Sequence, residues 1–343
     1  MKIRNHYIKL QLKLFFRLCQ KNKVSFLKLF NALRCDLAFF LKIKKGSPSP
    51  YILSLELWNE CNTKCLFCRD QKGKIHDLNP RGTGYIEKGR MPSDMAIDII
   101  RQLKNDILVA VLYTNGEPLL YPDLPKVIQC ATDQHVATVI ATNGLLLNEK
   151  NSRAILSAGI DLIKIQLSGF TQDIYSIQIR LGEVEQLKKN IRLLDSINKE
   201  GGYGTVILID YILYNYNRHQ LPMVREFCQE LGLMLNVRPG NPLGGLENRE
   251  EPVNREPLPL KVSCDYLWKV LQINFNGDIL PCCEAAVWSQ SKPYARYEIN
   301  KTDLKALWRG EAARTMRSTM KHSGRSGTDM CRQCTRKGVC FKW

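Results

Sequence analysis

Three cysteines with the spacing C-x3-C-x2-C follow an apolar run at residues 51–57. They are Cys61, Cys65 and Cys68, and the run predicts a strand that delivers them on a loop. Thiolates are ligands for zinc and for iron-sulfur clusters, whose usual patterns supply four protein ligands and close the site. Three thiolates can instead hold three corners of an iron-sulfur cube and leave one iron open for chemistry. On this motif alone, a partial zinc site or three buried thiols in a reduced interior are alternatives.

The same stretch resembles the signature of the radical S-adenosylmethionine (SAM) enzymes, in which an aromatic residue, here Phe67, precedes the last cysteine. The resemblance implies a [4Fe-4S] cluster on Cys61, Cys65 and Cys68, with the open iron chelated by the amino and carboxylate groups of SAM. One electron, from a reduced flavodoxin- or ferredoxin-type donor, would cleave the sulfonium to methionine and a 5′-deoxyadenosyl radical. That radical would abstract a hydrogen from the substrate.

A second motif, Thr114-Asn115-Gly116-Glu117-Pro118, resembles the Gly-Gly-Glu-Pro turn with which the family binds the amino group of SAM. It implies cofactor contacts from Gly116, Glu117 and Pro118, with the Glu117 carboxylate facing the ammonium in a charge-assisted contact. Asn115 replaces the usual first glycine, and Asn tolerates a left-handed backbone better than most residues.

Three further residues are similar to family positions. Asn143 and Ser168 follow the third and fourth predicted strands and resemble the strand-end residues that contact the ribose and the methionine carboxylate. Arg180 matches an arginine that pairs with this carboxylate. A parallel barrel places its active site at the carboxyl ends of its strands. The order and spacing of these motifs therefore predict one SAM site.

Length and composition restrict the class of protein. The chain has 343 residues, of which 44% are hydrophobic, enough for one large core or for a barrel of about 200 residues and a smaller domain. Thirteen cysteines without a secretory signal indicate a reducing compartment and metal chemistry rather than a disulfide framework. These features predict a cytoplasmic protein and exclude a repeat protein or a disordered chain.

Residues 1–45 carry most of the basic charge, with twelve Lys and Arg against the single acid Asp36, in a chain whose formal net charge is +17. Their apolar residues recur near a spacing of 3.6, which predicts a helix. No run fits a transmembrane span or a signal peptide. Two interpretations stay open, a helix lying on an anionic membrane and a helix that caps the barrel with its lysines in water. Nucleic acid is less favoured as a partner because no recognition motif accompanies the charge.

Residues 46–240 alternate strand-like and helix-like runs after a Gly, Ser and Pro break at 46–50. Such alternation predicts an α/β fold with a parallel sheet wound right-handed. The family resemblance implies that this sheet forms a partial (β/α)6 TIM-like barrel. The Pro-, Gly-, Glu- and Asn-rich residues 241–261 predict a linker. The predicted strands lie near 51–57, 107–113, 136–141, 161–167, 204–213 and 233–238, and the helices near 92–105, 121–133, 148–158, 184–199 and 217–231.

A second group of cysteines lies in residues 262–343. The pair Asn276-Gly277 predicts a hairpin turn that would bring two of them together, and a helix with Trp308 on its buried face is predicted near 300–321. The region resembles the SPASM/Twitch extension of radical SAM enzymes, which carries auxiliary iron-sulfur clusters, and a zinc ribbon is the alternative. The resemblance implies an auxiliary [4Fe-4S] cluster, with Cys283 and Cys340 as spare ligands. Its four implied ligands are Cys264, Cys282, Cys331 and Cys334.

Together these features predict a radical SAM enzyme that oxidises or rearranges a small molecule, such as a sugar-like precursor. Residues 1–45 are too few for the usual winged leader-binding domain of peptide maturases, so a SPASM-type peptide or protein maturase is the alternative. A non-enzymatic, zinc-stabilised protein that binds nucleic acid or a membrane is the competing hypothesis from another class. Glu284, two residues after Cys282, is a candidate base for the substrate radical.

Overall fold

All six predicted strands form, and they lie in one nine-stranded sheet. The computed structural model describes residues 12, 14–66, 68–77, 86–239, 263–289 and 291–334. Phe67, Cys340 and the predicted linker at 241–261 lie outside these described residues. The strands are β1 (Ile52–Leu55), β2 (Lys64–Cys65), β3 (Val109–Val111), β4 (Ala137–Thr142), β5 (Leu162–Leu167), β6 (Ile179–Arg180), β7 (Val206–Leu213), β8 (Met234–Pro239), β9 (Val270–Ile273), β10 (Asp278–Leu280) and β11 (Ala295–Arg296).

The sheet order is β11-β10-β9-β1-β3-β4-β5-β7-β8, and all pairs from β9 to β8 are parallel. Helices connect successive parallel strands, which confirms the predicted α/β fold of the partial-barrel type. None of the helices within the described residues has both the length and the apolar composition needed to span a bilayer. The helices are α1 (Phe26–Phe40), α2 (Ser93–Leu103), α3 (Leu124–Asp133), α4 (Glu149–Ser157), α5 (Gln172–Gln178), α6 (Val184–Glu200), α7 (Leu221–Leu231), α8 (Tyr266–Lys269), α9 (Leu304–Arg309), α10 (Glu311–Ser323) and α11 (Asp329–Gln333).

Successive residues of each strand point to opposite sides, and they pack in two separate apolar clusters, so the sheet has a helix-covered side and an inner side. On β5, Ile163 and Ile165 pack in the main core with the helices, whereas Lys164 and Gln166 are half-buried on the opposite side. This period of two is that of any pleated strand. Leu162, near the amino end of β5, belongs to a second apolar cluster on the inner side. The inner side is therefore apolar at the amino ends of the strands and polar toward their carboxyl ends.

The segment before β1 closes the amino-terminal end of the barrel. Arg17 donates to the carbonyl oxygen of Gly204, in the loop before β7. Lys28 of α1 donates from Nζ to the carbonyl oxygen of His135, just before β4, at 2.6 Å. Leu14 packs into the inner apolar cluster. This segment therefore lies at the end of the barrel opposite the carboxyl ends of the strands.

The buried side of α1 combines the polar Lys28 and Asn31 with the small residues Cys35 and Ala38. Before the helix, Lys23 pairs with Asp161 at 2.6 Å with both side chains almost fully buried. Lys42, Lys44 and Lys45 are at least partly exposed, whereas the expectation that a barrel-capping helix keeps its lysines in water is wrong for Lys23 and Lys28. These lysines turn inward because they are hydrogen-bond donors for the carbonyl and carboxylate oxygens of the loops that precede the strands, groups that need partners once buried.

The C-terminal residues extend the barrel sheet. β9 pairs in parallel with β1, with Ile52 opposite Val270, and β10 returns antiparallel beside β9. The predicted hairpin turn is confirmed, and its Gly277 has a φ of 86°, in the left-handed region that favours glycine. Trp308 is buried as predicted. The single helix predicted at 300–321 is wrong, because Gly310 is extended (φ −65°, ψ 173°) and separates α9 from α10.

Candidate active site

A two-stranded ribbon holds the cysteine loop, which follows β1. β2, which contains Cys65, pairs antiparallel with β6, so Lys64 lies opposite Arg180 and Cys65 lies opposite Ile179. β6 follows α5, so the ribbon ties the loop to a segment more than a hundred residues away in sequence. The predicted SAM-site residue Arg180 is thereby brought beside the cysteine loop.

The thiols of this loop lie close together. The hydroxyl of Thr63 is 3.3 Å from Sγ of Cys61 and 3.4 Å from Sγ of Cys65. Burial, followed by the charges of the neighbouring Cys68 and Cys61, raises the pKa of Cys65 to about 12. Buried thiolates that repel one another require a cationic partner, which an iron-sulfur cluster supplies. The donor set therefore fits the [4Fe-4S] cluster implied by the resemblance.

The turn after β3 packs directly against the backbone that precedes Cys61. A Cβ on Gly116 would lie 2.1 Å from the carbonyl oxygen of Trp58 and 2.7 Å from that of Glu60. The amide of Glu117 donates to the same Glu60 oxygen at 2.8 Å. Glycine is required at position 116 because two backbones meet there, and the turn and the cysteine loop form one unit.

Both carboxylate oxygens of Glu117 accept hydrogen bonds from the protein. Oε1 accepts from the Thr142 hydroxyl at 2.7 Å and from the Leu119 amide at 3.0 Å, and Oε2 accepts from the Asn143 amide at 2.9 Å. Burial raises the pKa of Glu117 to about 7, although these hydrogen bonds act to lower it. Glu117 thus fastens the turn, whose Pro118 is also buried, to the end of β4. The contact of its carboxylate with the SAM ammonium stays a prediction.

Asn143 connects the end of β4 to the cysteine loop. Its Nδ2 donates to Oδ1 of Asn62 at 2.8 Å and lies 3.8 Å from Sγ of Cys61. Its Oδ1 accepts from the amide of Leu145 at 3.0 Å. The side-chain amide is therefore held in place at the junction of the two motifs, and its contact with SAM stays a prediction.

Ser168 has a different environment from the other predicted SAM-site residues. It is fully buried, and its Oγ lies 3.5 Å from the carbonyl oxygen of Tyr175 in α5. Its own carbonyl oxygen accepts from Nδ2 of Asn217 at 2.8 Å. These contacts hold the end of β5 against α5, and the role of Ser168 toward SAM stays a prediction.

Two charged residues that the sequence analysis did not single out lie beside these motifs. Arg69, directly after Cys68, donates from Nη2 to the carbonyl oxygens of Asn59 at 2.5 Å and Asn115 at 3.0 Å. Glu56 accepts from Nδ2 of Asn115 at 2.6 Å, and burial raises its pKa to about 7. Arg69 and Glu56 thus connect the cysteine loop, the turn after β3 and β1. Glu56 is the one charged residue in the mostly apolar run at 51–57. This is a sequence signal by which it could have been found.

The four predicted C-terminal ligands influence one another electrostatically. Burial, followed by the charges of Cys264 and Cys331, raises the pKa of Cys282 well above its usual range. Burial also raises the pKa of Cys331, to which the neighbouring Cys334 contributes. The fold therefore brings Cys264, Cys282 and Cys331 within electrostatic range of one another and Cys334 beside Cys331. This donor set fits a cluster of the kind the sequence predicts.

Glu284 lies in the turn Cys283–Val287, and its charge contributes to the raised pKa of Cys282. It is therefore beside the C-terminal cysteines, and its role as a base stays a prediction. Within the described ranges, no three His, Cys, Asp or Glu side chains converge closely enough for a single metal ion.

A parallel β/α sheet that carries a three-cysteine loop, followed by a cysteine-rich extension, defines the class of radical SAM enzymes with an auxiliary cluster domain. The Radical SAM superfamily model matches residues 55–228, and that of SPASM, an iron-sulfur cluster-binding domain, matches residues 264–335. The chain belongs to the Radical SAM superfamily. The cofactors of this class are [4Fe-4S] clusters and SAM, in agreement with the sequence analysis.

Individual relatives are distant. The chain is 24% identical over 184 residues to a probable GTP 3′,8-cyclase of Methanococcus maripaludis (strain C6), a match that covers 53% of this chain and 56% of that protein. The chain thus spans about half the length of the curated relatives it matches. SuiB of Streptococcus suis bound to its precursor peptide SuiA has a TM-score of 0.60 at 16% identity, covering 84% of this chain and 71% of SuiB. BtrN in complex with AdoMet and 2-DOIA has a TM-score of 0.52 at 17% identity, covering 85% and 95%.

Proposed function

We propose that this protein is an enzyme that cleaves SAM reductively, at a reduced [4Fe-4S] cluster that Cys61, Cys65 and Cys68 would hold, and uses the resulting radical to oxidise or rearrange a polar small molecule. The observation that carries the proposal is the direct contact between the cysteine loop, the turn at Gly116 and the end of β4. When bound there, a [4Fe-4S] cluster and SAM supply the one-electron cleavage that yields a 5′-deoxyadenosyl radical. Family membership favours this enzyme over the zinc-stabilised binding protein.

The residues of this chain have separate tasks in SAM binding. The guanidinium of Arg180, opposite Lys64 in the ribbon, is the group that we assign to the methionine carboxylate. The fixed amide of Asn143 is assigned to the ribose side of SAM. Arg69 places a buried positive charge beside the cysteine loop, where it opposes the charge of the thiolates and orders the loop.

The polar inner side of the barrel supports a substrate rich in hydroxyl or charged groups. Lys164 and Gln166 lie on this side of β5, and Asp210 lies on it in β7. Asp210 accepts from Nδ2 of Asn236 at 2.7 Å and from Nε of Arg238 at 2.9 Å. Half-buried donors and acceptors at the carboxyl half of the strands suit a sugar-like or nucleotide-like molecule. The named activity of the cyclase relative, which concerns GTP, agrees with this class.

The N-terminal segment lies at the end of the barrel opposite the carboxyl ends of the strands. Residues 14–45 pack under the amino ends of the strands, as the contact of Lys28 with His135 illustrates. A segment there is not placed to hold a peptide over the opposite end of the barrel. The SPASM match is compatible with the alternative, a peptide or protein maturase. SuiB in complex with its peptide has a similar fold, which supports this alternative by analogy only.

We assign an electron-transfer role to the C-terminal cluster, because Cys264, Cys282, Cys331 and Cys334 would complete all four corners of a cube and leave no open iron. A reduced flavodoxin- or ferredoxin-type protein is the proposed donor for the SAM cluster.

The test is SAM cleavage by anaerobically reconstituted protein, measured as 5′-deoxyadenosine after reduction with dithionite. We expect Cys65→Ala to abolish the product and the matched variant Cys19→Ala, at an exposed cysteine, to retain it. Stimulation of 5′-deoxyadenosine formation by ribonucleoside triphosphates or amino sugars would support a small substrate, and stimulation by peptides alone would support the maturase. No cleavage by wild-type protein with full iron content would contradict the proposal.

A further inference from the structure

The outward side of α1 carries an unusual apolar surface. Phe26, Phe30, Leu33, Leu37 and Phe40 recur at intervals of four and three residues, which places them on one side of a helix. Phe26 and Phe40 are each 80% exposed and Leu33 is 64% exposed. We call these five residues the outer face of α1. Contiguous exposed apolar patches of this kind mark interaction surfaces in soluble proteins.

The outer face of α1 is enlarged by a neighbouring side chain. Leu27, next to Phe26 at the start of α1, is 70% exposed. Phe26 and Phe30 stack with their ring centroids 6.1 Å apart, so the rings already form a flat patch in the absence of a partner.

Polar contacts on the opposite side fix this orientation. Nδ2 of Asn31 donates to the carbonyl oxygens of Ser49 at 2.9 Å and Asp106 at 3.1 Å, and Lys28 donates to His135. Rotation of α1 about its axis would break these buried hydrogen bonds and leave their acceptors unpaired, at a cost of about 1–3 kcal/mol for each. The helix therefore cannot hide its apolar residues against the barrel, and the outer face of α1 is a fixed feature.

Charge around the outer face of α1 decides between possible occupants. Arg34 is exposed on α1, and Lys42, Lys44 and Lys45 follow the helix at least partly exposed. The single acid of residues 1–45, Asp36, already pairs with Lys269 at 2.5 Å. A second copy of this chain would bring two equally basic surfaces together. An anionic bilayer offers both an apolar layer for the rings and negative charge for the lysines.

We propose that the outer face of α1 is a peripheral docking surface for an anionic lipid membrane. Phenylalanine and leucine side chains enter the headgroup and acyl boundary, while Arg34 and the lysines after α1 remain at the lipid phosphates. Because α1 lies under the amino ends of the strands, docking turns the cysteine loop and the carboxyl ends of the strands away from the bilayer. The surface therefore localises the enzyme without covering its SAM site.

The test is co-sedimentation of the full-length, cluster-loaded protein with vesicles of phosphatidylcholine alone or with about one-third phosphatidylglycerol. We expect binding to the anionic vesicles, weaker binding to neutral ones, and a decrease when salt rises from about 0.1 M to about 0.5 M. Phe26→Ser with Phe40→Ser should lower the partition coefficient about tenfold or more. Both side chains are exposed, so their replacement should change the free energy of unfolding little.

A matched control variant is Met223→Ser with Ile299→Ser, two exposed apolar side chains elsewhere on the surface, which should bind as wild type does. Equal binding by the Phe26 and Phe40 variant, or equal binding to neutral and anionic vesicles, would overturn the proposal. So would a dimer in sedimentation velocity that the same variant converts to a monomer without any vesicle binding by wild type. None of these measurements depends on SAM cleavage.

Discussion

The side-chain amide of Asn143 donates to the side-chain oxygen of Asn62 at 2.8 Å, across 81 residues of sequence. The backbone amide of the same Asn143 donates to Glu117 at 2.9 Å. One residue at the end of β4 therefore holds both the cysteine loop and the turn after β3. Three motifs that the sequence could only place in order along the chain are here a single hydrogen-bonded unit.

Replacement of Glu117 tests this unit. Glu117→Ala leaves the Thr142 hydroxyl and the Leu119 and Asn143 amides without their acceptor, which should cost about 2–4 kcal/mol of unfolding free energy. SAM affinity should fall about tenfold, while iron content is retained because no ligand is removed. Equilibrium SAM binding, iron analysis and denaturant unfolding measure these quantities. Glu149→Ala, at an exposed helix position, is the control, and unchanged SAM affinity in Glu117→Ala would refute the assignment.

The buried carboxyl group of Glu56 predicts a pH dependence of stability. Burial raises its pKa from 4.5 to about 7, so the folded protein favours the protonated form. The stabilising contribution is fully present below about pH 4.5 and is lost as the pH rises through about 7. Relative to Glu56→Gln, which keeps an acceptor for Asn115 but does not titrate, wild type should lose about 3 kcal/mol over this range. Denaturant unfolding at several pH values measures the difference, and a constant difference would contradict the prediction.

Arg69 should act through the position of the cysteine loop. Arg69→Lys keeps the positive charge, but an ammonium lacks the guanidinium fork. It therefore cannot contact the carbonyl oxygen of Gly73, which accepts from Nη1 at 3.1 Å, together with those of Asn59 and Asn115, which accept from Nη2. We expect a loss of about 1–3 kcal/mol in unfolding free energy and lower iron loading at the SAM cluster. The exposed Arg153→Lys should change neither quantity. Wild-type iron loading in Arg69→Lys would show that the loop is ordered without these contacts.

Iron content distinguishes ligands from spare cysteines in the C-terminal region. Two four-iron clusters give about eight iron atoms per chain. Cys334→Ala should lower this to about four, because the auxiliary cluster loses a corner, whereas Cys283→Ala should leave about eight. The buried Cys130→Ala controls for the loss of any thiol. A wild-type content of about twelve, or a fall in Cys283→Ala, would mean that the cluster count or the ligand set is wrong.

The sequence predicted the strands well because buried parallel strands read as nearly continuous apolar runs, as Val109–Val111 does. It also predicted the turn at Gly277, where the backbone conformation requires a glycine. It could not give the partners of Arg69, because the carbonyl oxygens that it binds belong to positions that local pattern does not connect. Periodicity likewise revealed the apolar stripe of α1 but not the side that faces the barrel, since the spacing of apolar residues is the same in either orientation.

The prediction of a separate domain at 262–343 also rests on local sequence patterns, which do not show contacts between distant segments. Composition marks the break before it, but the pairing of β9 with β1 joins residues such as Ile52 and Val270 that lie far apart in the chain. No local signal encodes such a pairing. The predicted division into a barrel at 46–240 and a second domain at 262–343 stays a prediction.

The pairing of β9 with β1 has a consequence for solubility. Without β9, the apolar strand β1 would be an edge strand, with unpaired amide and carbonyl groups along Ile52–Leu55. Exposed apolar edges are templates for pairing with strands of other chains and so promote aggregation. The cysteine-rich region therefore covers an apolar edge of the barrel sheet, in addition to holding its cysteines, and loss of order in that region would expose this edge to pairing with other chains.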